Sequence, residues 1–472
     1  MKIDLTQQPR LAERIAFFSA WTESQMAYQE LPGLAIGLVY DQDLVWAKGF
    51  GLADLERRTA TTPDTLYRIA SITKLFTSTA LLQLRDAGRL QLDDPVQQYL
   101  PWFKMPPDEW LPDAPQDPSR PVTIRHLLTH TGGLRREAPF PYWTEGNYPS
   151  LAEIKAGLSR QPVAYPPETR WKYSNLGLAI AGEVVTHCAG ENYAAYITRH
   201  ILEPLGMHDT LVKAPQPDHP RLATGYSRRL PGAKREVSPH TDAQGLSPAF
   251  NMTSSVHDLA QFVMLQFRTA AEYTPGPQQI LSPRTLREMQ RVHWLEPDWK
   301  MGWGLGFSIS RQRNATWVGH GGAVLGYRTL VRFVPEKKVG VIVLGNADDT
   351  MPYQFADKLL DWVGPYAYQP AGASAAKPKS WESYLGRFRN VWRDVQSVVL
   401  NGQLALMDPT MPDPLPSVAY LQPVSGREHV FRVSAAQGYG QDGEYAVFEF
   451  DPAGSPARLK LGDNYLDAIP HW

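Results

Sequence analysis

The chain has 472 residues and a formal net charge of −1: it is longer than one hydrophobic core usually reaches, and it lacks the net basic charge that binding a nucleic-acid backbone calls for. Hydrophobic residues make up 43 % and charged residues 20 %, a globular composition that excludes disorder as the dominant state. The single cysteine, Cys188, excludes an internal disulfide, and the absence of any apolar run near the ~20 residues of a bilayer crossing excludes a helical membrane span.

The elements follow in chain order. The start, MKIDLTQQPRLAERIAFF, carries Asp4, Arg10, Glu13 and Arg14 where a secretory signal needs apolar residues; the expectation is a cytoplasmic chain. LAIGLVYDQDLVWAKGFG predicts two strands around Asp41, Gln42 and Asp43. From Ser71 the pattern turns helical, through Leu75, Phe76, Leu82 and Leu84, with Gly88 as a C-terminal stop. PVTIRHLLTH predicts a second helix entering at Thr123 and leaving at Gly132 and Gly133. A third runs through LGLAIAGEVVTHCAG. YRTLVRFVPEKKVGVIVLGNA predicts two strands joined at Pro335 and Glu336. Strands at both ends with helices between them imply an α/β or α+β domain whose sheet mixes N- and C-terminal segments.

GPYAYQPAGASAAKPKS, residues 364–380, is rich in Pro, Ala, Gly and Ser without hydrophobic period, which predicts a linker. Beyond it the helix signal stops. Asn401-Gly402 between apolar runs predicts a hairpin, and further short strands flank SGRE, QDGE and PAGSP. The expected organisation is a domain over 1–363, a linker over 364–380, and a small all-β, barrel-like domain over 381–472.

The stretch YRIASITKLF places Ser71 and Lys74 three residues apart. A serine hydroxyl is a weak nucleophile that needs a base within hydrogen-bond reach, and i, i+3 positions share one helix face. Burial disfavours the charged amine, which is what a lysine base requires near neutral pH. The free N–H groups at a helix start favour an oxyanion developing beside Ser71. Alone, Ser-x-x-Lys is also a common polar turn of helix.

Two further elements change its weight. WKYSNLG supplies Tyr173 and Asn175, and VGHGGAVLGY supplies His320, Gly321 and Gly322 before a strand. Three elements in this order, with LYRIASITK, TIRHLLTHTGGL, ILEPLGMHDT and GHGGAVLGYRTLVRFVPE around them, resemble the penicillin-recognising serine hydrolases, best the class C β-lactamases with their esterase and D-peptidase relatives. The resemblance spans roughly residues 33–347. It implies a β-lactamase-like fold, an antiparallel sheet flanked by helices plus a helical subdomain, and no cofactor or metal. It further implies that Ser71 is the acylated nucleophile, Lys74 its base and Tyr173 a proton relay. Asn175 would hold Lys74 and the substrate amide, the backbone N–H groups of Ser71 and Ala323 would form an oxyanion hole, and Gly321 and Gly322 would let substrate lie close to the strand. The bland alternatives are a core aromatic for Tyr173 and a helix N-cap for Asn175.

One departure bears on the substrate. His320-Gly321-Gly322 stands where the family usually has Lys-Thr-Gly or Lys-Ser-Gly, so a carboxylate of a β-lactam or D-Ala terminus lacks its fixed ammonium, unless Arg328 supplies charge. This tilts the expectation to esters, amides or peptides. His126 and His130 have the i, i+4 spacing of zinc ligands but no glutamate in the required pattern, so packing or capping is expected. Glu168 reads as loop surface. The function expected is a serine hydrolase acting through an acyl-enzyme on a small-molecule or peptide substrate, with a possible homo-oligomer and neither nucleic-acid nor membrane partners. The alternatives are a non-catalytic binding or scaffold protein on the same fold, a true β-lactamase, and a D-amino-acid peptidase.

Overall fold

The computed structural model describes residues 8–104, 121–140, 146–269, 276, 278–312, 314–367, 381–435 and 441–470. Its contacts divide the chain into two compact units, residues 32–356 and residues 1–31 with 357–472.

The first unit is built on strands β1 (Gly33–Tyr40), β2 (Asp43–Asp54), β3 (Thr59–Ala60), β4 (Tyr67–Arg68), β5 (Thr253–Ser254), β6 (Trp294–Leu295), β7 (Met301–Trp303), β8 (Ser308–Gln312), β9 (Ala315–Val324), β10 (Tyr327–Val334) and β11 (Val339–Gly345). Nine of them form one sheet in the order β3-β2-β1-β11-β10-β9-β8-β7-β6. N- and C-terminal strands meet at its centre, where β1 runs antiparallel to β11 with Ile36 opposite Val343. The sequence explains the position: GLAIGLVY and VGVIVLG are near-continuous apolar runs, and all their residues but Tyr40 are buried, as strands covered on both faces must be. The Val256–Phe267 helix lies against them. Side chains at Gly37 and Gly340 would collide with it, since an added Cβ would stand 2.5 Å from Val256 and 2.6 Å from Val263.

The helical part packs Thr73–Asp86, Ile124–Thr129, Leu151–Leu158 and Asn175–Ala189 into the same apolar core. The Thr73–Asp86 helix is buried at every position from Thr73 to Leu82, so it sits inside the unit and not on its surface. Two boundaries differ from expectation. Ser71 lies in a short 3-10 turn, Ala70–Ile72, just ahead of the α-helix. The Ile124–Thr129 helix ends at His130, whose φ of 60° takes the left-handed terminating position before Gly132 is reached.

In the second unit, β12 (Gly386–Arg389), β13 (Asp394–Leu400), β14 (Gln403–Met407), β15 (Ala419–Pro423), β16 (Val430–Ala435), β17 (Tyr445–Phe450), β18 (Pro456–Leu461) and β19 (Asn464–Ile469) close into an eight-stranded barrel. Closure leaves no free sheet edge. Asn401 and Gly402 turn with φ of 55° and 77°, the left-handed pair of a type I′ hairpin. The Pro9–Gln29 helix belongs to this unit: Arg14 donates to Asn401 Oδ1 at 3.1 Å, Trp21 Nε1 to the Met411 carbonyl at 3.0 Å, and Gln25 to the Pro409 carbonyl at 2.9 Å. The chain is therefore not compacted in the sequential order of 1–363 and 381–472. Of the expected linker, Gly364–Ala367 is a helical turn; residues 368–380 lie outside the described residues.

Candidate active site

The β4–β5 pair and a set of tertiary bonds fix the turn that carries Ser71. Ile69 N–H donates to the Met252 carbonyl at 2.9 Å, and Thr329 Oγ1 on β10 donates to the Ile69 carbonyl at 3.0 Å. Ala70, immediately before Ser71, has a φ of 48°, a left-handed conformation that costs a non-glycine residue about 1–2 kcal/mol and persists only where surroundings impose it. Gly322 on β9 is part of those surroundings. A Cβ there would stand 2.3 Å from the Ile69 carbonyl oxygen and 2.2 Å from Thr329 Oγ1. What its missing side chain makes room for is the chain's own backbone. Gly321 faces elsewhere, with Tyr353 Oη 3.1 Å from the corresponding position.

Lys74 is fully buried. Its Nζ lies 3.0 Å from Ser71 Oγ, 2.8 Å from Asn175 Oδ1 and 2.9 Å from the Ala249 carbonyl. Desolvation holds the amine well below its ordinary value, with Arg136 acting the same way and Glu137 opposing it. Asn175 Oδ1 and the Ala249 carbonyl can only accept, so a neutral amine spends its two N–H bonds on them. The remaining lone pair faces the Ser71 hydroxyl. A serine hydroxyl and a lysine amine are thereby joined without a histidine.

Tyr173 lies beside this pair, its ring centroid 4.8 Å from Lys74 Nζ and 5.2 Å from Arg136 Cζ. Burial raises its phenol while the Ser71 hydroxyl pulls the other way, so the group stays protonated at neutral pH. Asn175 opens the Asn175–Ala189 helix, and the N-cap is its neighbour Ser174, whose Oγ accepts from Gly177 N–H at 2.9 Å. The N-cap reading of Asn175 is thus replaced by side-chain contact with Lys74.

His320 is buried, and its Nδ1 lies 2.6 Å from the Gly321 carbonyl. A carbonyl only accepts, so Nδ1 carries the hydrogen and Nε2 keeps a lone pair; Nε2 is buried without a hydrogen-bond partner. Desolvation, followed by Lys74, pushes this imidazole down to about 3. Arg328 is engaged elsewhere, 2.8 Å from Asp348 and donating to the Val324 and Tyr327 carbonyls. Ala323 lies on the stretch of β9 beyond Gly319, where pairing with β8 has ended.

His126 and His130 have structural partners. His126 Nδ1 accepts from Thr123 N–H at 3.1 Å in a capping box, and its Nε2 meets the exposed Glu168 at 3.2 Å. His130 Nδ1 accepts from Ser174 N–H at 3.2 Å. Among the described residues no group of three or more His, Cys, Asp or Glu gathers to hold a metal ion, and no helix is long and apolar enough to cross a membrane.

The family model described as Beta-lactamase matches residues 18–364. The chain belongs to the Beta-lactamase family. It is 26 % identical over 339 residues to Protein flp of Staphylococcus aureus strain MW2, covering 72 % of this chain and 64 % of that one. It is 30 % identical over 351 residues to Beta-lactamase-like protein 2 of Dictyostelium discoideum, covering 73 % and 61 %. The chain thus spans less than two thirds of the length of these curated relatives. Among solved structures, the octameric penicillin-binding protein homologue from Pyrococcus abyssi aligns over 96 % of this chain and 100 % of its own, with a TM-score of 0.62 and 24 % identity. A D-stereospecific amidohydrolase from Streptomyces sp. aligns over 72 % and 97 %, with a TM-score of 0.59 and 24 % identity. Both likenesses are of fold, and the first extends over nearly the whole chain.

Within this Beta-lactamase family site the sequence reading missed Glu137 and the aromatic wall. Glu137 accepts from Asn175 Nδ2 through both carboxylate oxygens at 3.0 Å. Trp171 and Trp303 stack at 5.0 Å and 19°, and His130 stands edge-on to Trp303 at 5.2 Å and tilted on Tyr173 at 4.4 Å. No spacing rule links residues 130, 171 and 303; only the fold does.

Proposed function

We propose that this family member is a serine hydrolase that acts through an acyl-enzyme on ester, amide or peptide substrates. The observation that carries the reading is the buried Lys74 amine, with Nζ 2.8 Å from Asn175 Oδ1, 2.9 Å from the Ala249 carbonyl and 3.0 Å from Ser71 Oγ; neutral, it donates to the first two and turns its lone pair to the serine. In the acylation step Ser71 gives its proton to Lys74 as Oγ bonds to the substrate carbonyl carbon. The carbonyl oxygen takes the negative charge and is held by the backbone N–H groups of Ser71 and Ala323. The proton passes by way of Tyr173 to the leaving group as its bond to carbon breaks. Because burial keeps the Tyr173 phenol protonated, it relays a proton and Lys74 remains the base. Water then attacks the acyl carbon, its proton passes through the same groups to Ser71 Oγ as the bond between Oγ and that carbon breaks, and the acid leaves.

The state of His320 supports esters and amides over penicillins. An acceptor Nε2 on a neutral ring repels the carboxylate that an ammonium at this strand position would attract. A panel of p-nitrophenyl esters, D-amino-acid amides and nitrocefin tests the substrate class. The reading expects turnover of the esters or amides to exceed that of nitrocefin, and His320→Lys to shift the ratio towards the β-lactam. Preferred turnover of nitrocefin by the wild type contradicts it.

A further inference from the structure

The nucleophile and its base form the near end of a chain of hydrogen bonds whose far end is Glu137. Its place is fixed by backbone: Asn175 N–H donates to the Arg136 carbonyl at 2.7 Å, Ser174 Oγ donates to the Arg135 carbonyl at 2.7 Å, and Gln161 Nε2 donates to the Glu137 carbonyl at 2.9 Å. The segment 135–137 is thereby bolted to the start of the Asn175–Ala189 helix. A carboxylate only accepts, so Glu137 compels Asn175 to turn its NH2 outward and its Oδ1 towards Lys74. Without an acceptor there, the amide can flip and point N–H groups at the amine, drawing the lysine lone pair away from Ser71.

Resting on the reading of Ser71 and Lys74 as nucleophile and base, we infer that Glu137 is a positioning residue, which sets the direction of the hydrogen-bond chain Ser71→Lys74→Asn175→Glu137 and the protonation of the lysine within it. Its carboxylate is the charge that favours protonated Lys74, against desolvation and the Arg136 guanidinium. Arg136 is also its ion-pair partner at 3.0 Å. The other titratable groups around the amine carry no net charge near neutrality: Tyr173 is a protonated phenol, and burial keeps His130 and His320 as neutral imidazoles. Glu137 is therefore the anion that holds the base strong enough to take a proton while Arg136 keeps it from staying protonated.

The test is the rate of Ser71 labelling by a fluorophosphonate probe from pH 4 to 10, for the wild type and for Glu137→Gln, Glu137→Ala and Glu137→Asp, with Ser71→Ala as the control and melting curves for folding. Removing the anion lowers the affinity of Lys74 for its proton, so the acid limb of Glu137→Gln moves to lower pH by about one unit, the low end for loss of a neighbouring charge. Glu137→Ala moves the limb likewise and loses about tenfold of the plateau rate through the freed amide. Glu137→Asp returns the limb towards the wild type. A limb unmoved in both neutral variants, with Ser71→Ala unlabelled, overturns the role of Glu137 and leaves the nucleophile standing. Labelling of Ser71→Ala at the wild-type rate overturns it together with the reading beneath it.

Discussion

Lys74 Nζ lies 3.0 Å from Ser71 Oγ, and the lysine has no exposed surface. A buried amine with a hydroxyl at hydrogen-bond distance acts as a base only if it can be neutral, which lysine can and arginine cannot. Lys74→Arg is therefore expected to lower kcat/KM on an activated ester by at least ~10²-fold, the low end for loss of a general base. Turnover near the wild type would reduce Lys74 to a structural residue.

The two adjacent glycines of β9 separate by mutation. Gly322→Ala drives a methyl group into the Ile69 carbonyl, 2.3 Å away, whereas Gly321→Ala meets the Tyr353 hydroxyl at 3.1 Å. The first moves the backbone that holds Ser71; the second needs only a small side-chain adjustment. Ser71 labelling is expected to fall by about a hundredfold in Gly322→Ala, the scale of an ~1 Å misplacement, and by much less in Gly321→Ala. Equal effects would mean that Gly322 does not seat the nucleophile's turn.

His320 ties stability to pH. Its imidazole lies at about 3 in the folded chain against 6.5 when unfolded, so the unfolded state binds the extra proton between these values. Stability is fully present above 6.5 and is lost as pH falls towards about 3, by up to ~1.4 kcal/mol per pH unit for one group. His320→Gln removes this proton and is expected to flatten the fall of Tm with acid over that window; His130, also held well below its ordinary value by burial, leaves a residual slope. An unchanged slope contradicts the neutral, buried state of His320.

Trp21 anchors the N-terminal helix within the barrel unit. It is fully buried, packs edge-on to Trp362 at 5.1 Å, and donates to the Met411 carbonyl at 3.0 Å. Trp21→Ala leaves a large cavity and an unpaired carbonyl, and is expected to cost about 3–5 kcal/mol, measured by denaturant unfolding. A loss under ~1 kcal/mol, the scale of a surface change, would place the helix outside the unit's core.

The parts that could be read in the sequence are those whose signals are local. Ser71 and Lys74 announce themselves because one helical turn brings i and i+3 together, and Asn401-Gly402 because two left-handed residues are needed between paired strands. The apolar runs of β1 and β11 gave a sheet joining both ends of its unit. Glu137 has no such mark: it reaches Asn175 across 38 residues through a loop that nothing in RREAPF distinguishes from solvated surface. The Pro9–Gln29 helix has buried residues on most of its turns, yet a helix pattern does not say which distant segment covers it, here the barrel that begins more than three hundred residues later. His130 ended a helix where two glycines stood ready, because a tertiary bond from Ser174 N–H holds it in the terminating conformation.

The central claim is that Ser71 is the nucleophile, and mass spectrometry of the peptides from fluorophosphonate-treated protein tests it most directly. The account predicts one adduct, on the peptide containing Ser71, and none in Ser71→Ala with an unchanged circular dichroism spectrum. An adduct on any other serine, or equal labelling of Ser71→Ala, would contradict it.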